Sequence, residues 1–171
     1  MSKSAERLVV LGAVGVFVAG SVLGMRLVVS QPEAVAEEPA CEVRTIAQGQ
    51  DLSSNLVMVH VYNGSQRAGL ANRVKINLER KGFLGGVAQN NPGRIKPKNV
   101  AVLTNDPEDP RVRLVAAQFK GKVERRPADF RTEDGISVLI GTNYEGLKKG
   151  TATTLKANRA VEVCVPTITL P

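Results

Sequence analysis

The chain has 171 residues, enough for one folded domain and short for a two-domain enzyme. Its 23 Lys and Arg exceed its 16 Asp and Glu, giving a net charge of +7, and it has one His, two Cys and no Trp. This composition argues against a metal site built from His and Cys, and we expect no metal and no other cofactor.

The N-terminal segment predicts a membrane anchor. Residues 8–25 form an apolar run of eighteen residues without charge, which as a helix spans roughly 27 Å and nearly fills a bilayer core. Lys3 and Arg7 precede the run, so the positive-inside rule places the N-terminus in the cytoplasm and the rest outside. We therefore predict a cytoplasmic N-terminus at 1–7 and a single-pass transmembrane segment at 8–30.

The alternative is a secretory signal peptide cleaved near Ala36, because residues 34–36 read Ala-Val-Ala, similar to a signal-peptidase site. This site lies far from the apolar run. The run is also longer than the apolar region of a signal peptide, which has about 7–15 residues, and both observations favour the uncleaved anchor. In both cases the folded part lies outside the cytoplasm. Intracellular nucleic acid is therefore excluded as a partner.

A stalk and two cysteines follow the anchor. Residues 31–40 contain two Pro and three Glu, which is typical of an extended linker. Cys41 and Cys164 lie near opposite ends of the remaining chain, in segments that alternate in polarity as edge strands do. Because the compartment is oxidising, we predict a Cys41–Cys164 disulfide that joins both ends of the ectodomain; the alternative is two unpaired thiols.

Two stretches share one plan of strand, polar turn, basic amphipathic helix and glycine. In the first, 57–62 predicts a strand, Ser65 a helix cap, and apolar residues at helical spacing over 70–78 a helix. In the second, 99–103 predicts a strand and Asp109, which precedes a Pro, predicts the cap of a helix that continues to a Lys-Gly stop. Further strands are predicted at 84–89, 122–126 and 135–141.

The resulting order is β-α-β-β-α-β-β. It predicts an α+β two-layer sandwich, with two helices on one face of a mixed sheet.

The stretches VMVHVYNGSQRAGLANRVKINLERKGF, VAVLTNDPEDP and ISVLIGTNY resemble the LytR C-terminal domain family over about residues 56–144. In that family the domain often follows a LytR-CpsA-Psr catalytic domain, which couples anionic polymers to the cell wall. It also occurs alone behind a membrane anchor, mostly in actinobacteria. The resemblance implies an envelope location near wall assembly, and it supplies no catalytic residues.

Charge defines the candidate binding surface. Residues 67–131 contain fifteen Lys and Arg but six Asp and Glu, a net charge of +9. Such a stretch suits phosphate-rich wall polymer, peptidoglycan carboxylates or anionic lipid headgroups, and the alternative is a basic face that only keeps the domain soluble. The turn before the first helix is a second candidate anion-binding site, and the alternative is a tight turn that only allows close packing. The predicted binding residues are Asn63, Gly64, Ser65, Arg67, Arg94, Lys96, Lys98, Lys122, Arg125 and Arg126.

Catalytic motifs are missing from the sequence. His60 has no accompanying Ser or Cys nucleophile motif, and we interpret it as a partly buried structural residue. The acidic residues of 106–109 lack the spacing of a calcium loop and fit a helix-capping loop. We predict no catalytic residue.

Five segments follow from these patterns: the N-terminus at 1–7, the anchor at 8–30, the stalk with a first strand at 31–55, the LytR C-terminal-like domain at 56–145 and a tail at 146–171. We predict a non-catalytic envelope module that binds anionic cell-wall polymer or peptidoglycan. The alternative is a protein-interaction or scaffolding partner that modulates a LytR-CpsA-Psr type ligase.

Overall fold

A computed structural model describes residues 41–166 of the chain. The predicted cytoplasmic N-terminus, the anchor at 8–30, the linker up to residue 40 and residues 167–171 lie outside this range. Within the described range, no helix has the length and hydropathy needed to cross a membrane.

The described residues form nine strands, two α-helices and one short 3₁₀-helix. In chain order these are β1 (Cys41–Ile46), β2 (Asp51–Ser53), the 3₁₀-helix (Ser54–Leu56), β3 (Met58–Asn63), α1 (Leu70–Glu79), β4 (Leu84–Asn90), β5 (Val100–Leu103), α2 (Pro110–Ala116), β6 (Val123–Arg126), β7 (Ile136–Ile140), β8 (Thr154–Lys156) and β9 (Val161–Pro166).

The main sheet has five strands in the order β4-β3-β7-β5-β6. Strand β3 pairs in parallel with β4 and β7, while β5 pairs in parallel with β6 and antiparallel with β7. The two β-α-β units therefore lie on either side of β7 and run in opposite directions. This arrangement confirms the predicted α+β order and the mixed sheet.

Both helices contribute to one hydrophobic core. The main cluster of buried residues combines the apolar stripes of α1 and α2 with alternate residues of the strands, among them Val59, Val61, Val100, Val102 and Val138. Because successive strand residues point to opposite faces, these five valines define the face that the helices cover.

The other face of the sheet is covered by loops. It carries a second cluster of buried residues, Tyr62, Ala101, Leu103 and Leu139. Ile95 and Phe130, from the loops that precede β5 and β7, pack onto it, and the rings of Tyr62 and Phe130 meet edge to face with centroids 4.9 Å apart.

The helix caps are partly as predicted. The Asp109 side chain accepts a hydrogen bond from the Arg111 N–H at 2.7 Å and caps α2, which confirms the Asp-Pro start. Ser65 does not cap α1. The helix begins after Gly69, whose φ of 70° is the left-handed conformation that glycine adopts without strain, and Ser65 bonds within a separate turn.

Strands β1 and β9 pair antiparallel at the ends of the domain. The disulfide between Cys41 and Cys164 joins them, with Cα atoms 5.4 Å apart and a sequence separation of 123, and this confirms the predicted bridge. The pairing of β2 with β8 is not predicted by the sequence. Since Leu52, Ala157 and Val163 are fully buried, these flanking strands belong to the folded unit.

Candidate functional site

An open groove runs along β6, the edge strand of the main sheet. Four of the ten predicted binding residues line it: Arg94, Lys122, Arg125 and Arg126. The remaining lining residues are Ile95, Val123, Glu124, Pro127 and Asp129, and the groove has a volume of about 990 Å³. We call this feature the edge groove.

The position of β6 produces the groove. Val123 packs against the main core and fixes the strand, whereas Lys122, Arg125 and Arg126 are exposed. The loop at 91–99 forms the facing side, because Ile95 packs onto the loop-covered face of the sheet. Basic residues from two distant stretches of sequence thereby face one groove.

Asp129 holds the facing loop in place. Its Oδ2 atom accepts hydrogen bonds from the backbone N–H groups of Arg94 at 2.6 Å and Ile95 at 3.1 Å. Bonds from a carboxylate to backbone N–H groups are stronger than neutral ones, so this pair positions the backbone of Arg94 beside β6.

The second acid of the groove is also engaged. Glu124 pairs with Arg126, with its Oε2 atom 3.7 Å from the guanidinium. By contrast, the side chains of Arg94, Lys122 and Arg125 form no ion pair with any residue of the described range. The groove lining therefore has four cations against two carboxylates, and three of the cations form no ion pair among the described residues, so the groove can bind an anion.

The predicted turn at 63–67 lies apart from the groove and is closed by its own hydrogen bonds. Asn63 donates from Nδ2 to the Arg67 carbonyl at 2.8 Å and accepts the Ser65 N–H at 3.0 Å. The Gly64 N–H donates to the Ile140 carbonyl, and the Arg67 guanidinium donates to the Thr142 carbonyl. The Arg67 N–H donates to the Ser65 hydroxyl at 3.2 Å, so the backbone donors of residues 64, 65 and 67 are in use, and anion binding at this turn stays a prediction.

Lys96 and Lys98 are exposed on the loop at 91–99 but do not line the groove. The backbone carbonyl of Lys98 accepts the Asn143 N–H at 2.8 Å and so ties this loop to the turn after β7. The structure therefore does not bring these two lysines together with the cations of β6.

The buried His60 has a structural role. Its Nδ1 atom accepts the Val87 N–H at 3.0 Å, and its Nε2 atom lies 2.5 Å from the Asp134 carbonyl. Both ring nitrogens are thus engaged. Among the residues of β1 through β9, no cluster of three or more His, Cys, Asp or Glu is arranged to hold a metal.

The pKa values of Tyr144 and Asp106, which lie outside the groove, are shifted from their usual values. Burial raises the pKa of Tyr144 to about 12, and the nearby charge of Arg67 opposes that rise. The hydrogen bond from Arg159 lowers the pKa of Asp106 below its usual value. Neither group borders the edge groove.

Sequence reasoning missed the acidic and apolar parts of the groove. Asp129 lies about thirty-five residues from the backbone that it holds, and nothing local in the sequence marks it. Val123 could have been identified as the residue that anchors this strand to the core, because it is the apolar residue of an otherwise charged strand.

The fold and the groove define a mixed α+β domain with a basic sheet edge. The profile of the LytR C-terminal family, described as "LytR cell envelope-related transcriptional attenuator", matches residues 56–144, and the chain belongs to this family.

A solved structure is also similar: the soluble domain of a conserved hypothetical secreted protein from Mycobacterium marinum. It is 21% identical, with 66% of this chain and 79% of that chain covered and a TM-score of 0.43. A comparison with curated proteins gave no match.

Proposed function

We propose that the protein is an extracytoplasmic, membrane-anchored envelope module that binds anionic cell-wall polymer or peptidoglycan through the edge groove and catalyses no reaction. The observation that carries this proposal is the set of three cations, Arg94, Lys122 and Arg125, that line the groove and form no ion pair among residues 41–166.

The compartment has independent support. The Cys41–Cys164 disulfide is the kind of bond that persists in oxidising locations. The family is described as cell envelope-related. The apolar run at 8–30 supplies the anchor in this proposal, with secretion after cleavage near Ala36 as the alternative.

The shape of the groove favours a polymer over a small ligand. It is open along its length, with Ile95, Val123 and Pro127 providing apolar surface between the cations. Exposed cations in such a site act through a screened field, so each contact is weak and affinity grows with the number of charges engaged. A polyanion supplies many charges at once.

The test is co-sedimentation of the full chain, in detergent, with isolated cell walls. We expect wild-type binding at low salt and its loss at high salt. The variant R94E/K122E/R125E should bind at least about tenfold more weakly, since several charge contacts become repulsive.

The matched control is R73E/K148E/K149E, which changes the net charge equally at exposed positions outside the groove. It should bind within about twofold of wild type. Binding that ignores salt, or that the two variants reduce equally, contradicts the proposal. Absence of wall binding together with one dominant cross-linked protein would favour the scaffolding alternative.

A further inference from the structure

The main chain of β6 faces the edge groove at alternate residues. The Lys122 carbonyl accepts a hydrogen bond from Asn99 Nδ2 at 3.2 Å, and the Arg126 carbonyl accepts the Thr104 N–H at 2.7 Å, so both point toward β5. Peptide groups in a strand alternate in direction, and the N–H and C=O groups of Val123 and Arg125 therefore point outward.

The outward groups form a short ladder of donors and acceptors between cations. Val123 and Arg125 each offer one N–H and one C=O, at the spacing of about 3.3 Å per residue along a strand. Arg94, Lys122 and Arg125 line the groove beside this ladder, and with Arg126 they outnumber the carboxylates of Glu124 and Asp129 there. A phosphodiester offers acceptors for the N–H groups but no donor for the carbonyls, whereas a peptide supplies both at the required spacing.

We propose that the edge groove binds an extended peptide with free carboxylates, and that the peptide is the stem of peptidoglycan. This inference rests on the proposed function and chooses between its two ligands. The peptide backbone pairs with Val123 and Arg125, and the carboxylates meet the surrounding cations.

The length of the edge suits a short peptide such as a peptidoglycan stem. Strand β6 has four residues, of which two face outward, so the ladder fits only a short peptide. A stem peptide mixes L and D residues and cannot form a long regular strand, and this edge does not require one. Binding of a single stem is weak, and the many stems of a wall compensate through multivalency.

The first test is calorimetric titration of the full chain, in detergent, with soluble peptidoglycan fragments. We expect binding of a disaccharide-peptide that has free carboxylates. The same fragment with amidated carboxylates should bind at least about tenfold more weakly, as should the disaccharide without peptide. A poly(glycerol phosphate) probe tests whether the groove binds a phosphodiester polymer instead. An all-L acidic peptide of equal length and charge tests whether it binds a segment of another protein.

The second test separates main-chain recognition from charge. R125Q removes the cation but keeps the N–H group, whereas R125P removes both; proline is tolerated on an edge strand where the N–H faces solvent. We expect R125P to bind the fragment about two- to tenfold more weakly than R125Q. In wild type, the fragment should slow amide exchange at Val123 and Arg125 but not at Glu124 and Arg126, and this readout remains if R125P does not fold.

The inference is overturned if the disaccharide alone binds as well, if poly(glycerol phosphate) or the all-L peptide binds more tightly, or if exchange at Val123 and Arg125 is unchanged. Groove-dependent sedimentation with whole walls, combined with no fragment binding, removes the inference and leaves the proposed function standing. Failure to bind whole walls removes the proposed function itself.

Discussion

His60 Nδ1 accepts the backbone N–H of Val87 at 3.0 Å, so a side chain of β3 replaces a missing rung of the β3–β4 ladder. The register of this ladder shifts between Val59 and Val61, where His60 lies. With Nδ1 accepting, Nε2 carries the proton and donates it to the Asp134 carbonyl. One imidazole therefore connects β3, β4 and the loop before β7.

Replacing this imidazole should destabilise the fold. His60→Ala leaves the Val87 N–H and the Asp134 carbonyl without partners and opens a cavity, and we expect a loss of about 2–4 kcal/mol in the free energy of unfolding. Urea denaturation followed by circular dichroism measures it. Gln66→Ala, at an exposed position, should change stability by less than about 0.5 kcal/mol. A loss below about 1 kcal/mol for His60→Ala would contradict the structural role.

The buried hydroxyl of Ser137, which lies opposite His60 in register, has no hydrogen-bond partner within the described part of the chain. Ser137→Ala removes this unpaired polar group and should raise stability by about 1 kcal/mol. Ser54→Ala is the matched comparison, because the Ser54 hydroxyl donates to the Lys81 carbonyl at 3.0 Å. Thermal unfolding should shift in opposite directions for these two variants, and a shift in the same direction argues against the assignment.

The disulfide should supply a large share of the stability. Replacing Cys41 and Cys164 together by Ser removes a link across 123 residues, with an expected loss of about 3–5 kcal/mol. Denaturation with and without reductant measures the effect in wild type, and the double Ser variant should not respond to reductant. Equal stability of the oxidised and reduced protein would refute this contribution.

Alkaline pH should weaken the fold through Tyr144. Burial raises its folded pKa from 10 to about 12, so the neutral phenol is favoured in the folded state. This contribution is fully present below pH 10 and is lost as pH rises toward 12, because the unfolded chain ionises first. The difference in phenolate absorbance between wild type and Tyr144→Phe should have its midpoint near pH 12. A midpoint near 10 would show that the ring is solvated.

Local patterns in the sequence predict both helices and the strands around them. The apolar stripe of α1 and the Asp109 cap of α2 are short-range signals, and the structure contains both. The strand order could not be predicted from such local patterns, because the placement of β7 between β3 and β5 depends on pairings between residues distant in sequence. Strands β2 and β8 have three residues each, too few for a periodic pattern.

The sequence predicts the kind of site, a basic surface, but not which residues form it. Net charge indicates a basic surface, and Arg94 does meet Lys122 and Arg125 in one groove. The groove forms because Ile95 packs on the loop-covered face and Asp129 bonds the adjacent backbone. A count of charges along the sequence does not reveal these tertiary contacts. It also counts Lys96 equally with Arg94, although Lys96 does not line the groove.

The pairing of Cys41 with Pro166 places the first and last described residues side by side. A pulling force applied through the segment before Cys41 acts first on β1. If only hydrogen bonds held this strand to β9, they would break one after another. The disulfide to Cys164 diverts that load into a covalent bond at the first residue of the strand. A force applied between the segment before Cys41 and the chain after Cys164 is therefore carried by this bond and does not reach the five-stranded sheet.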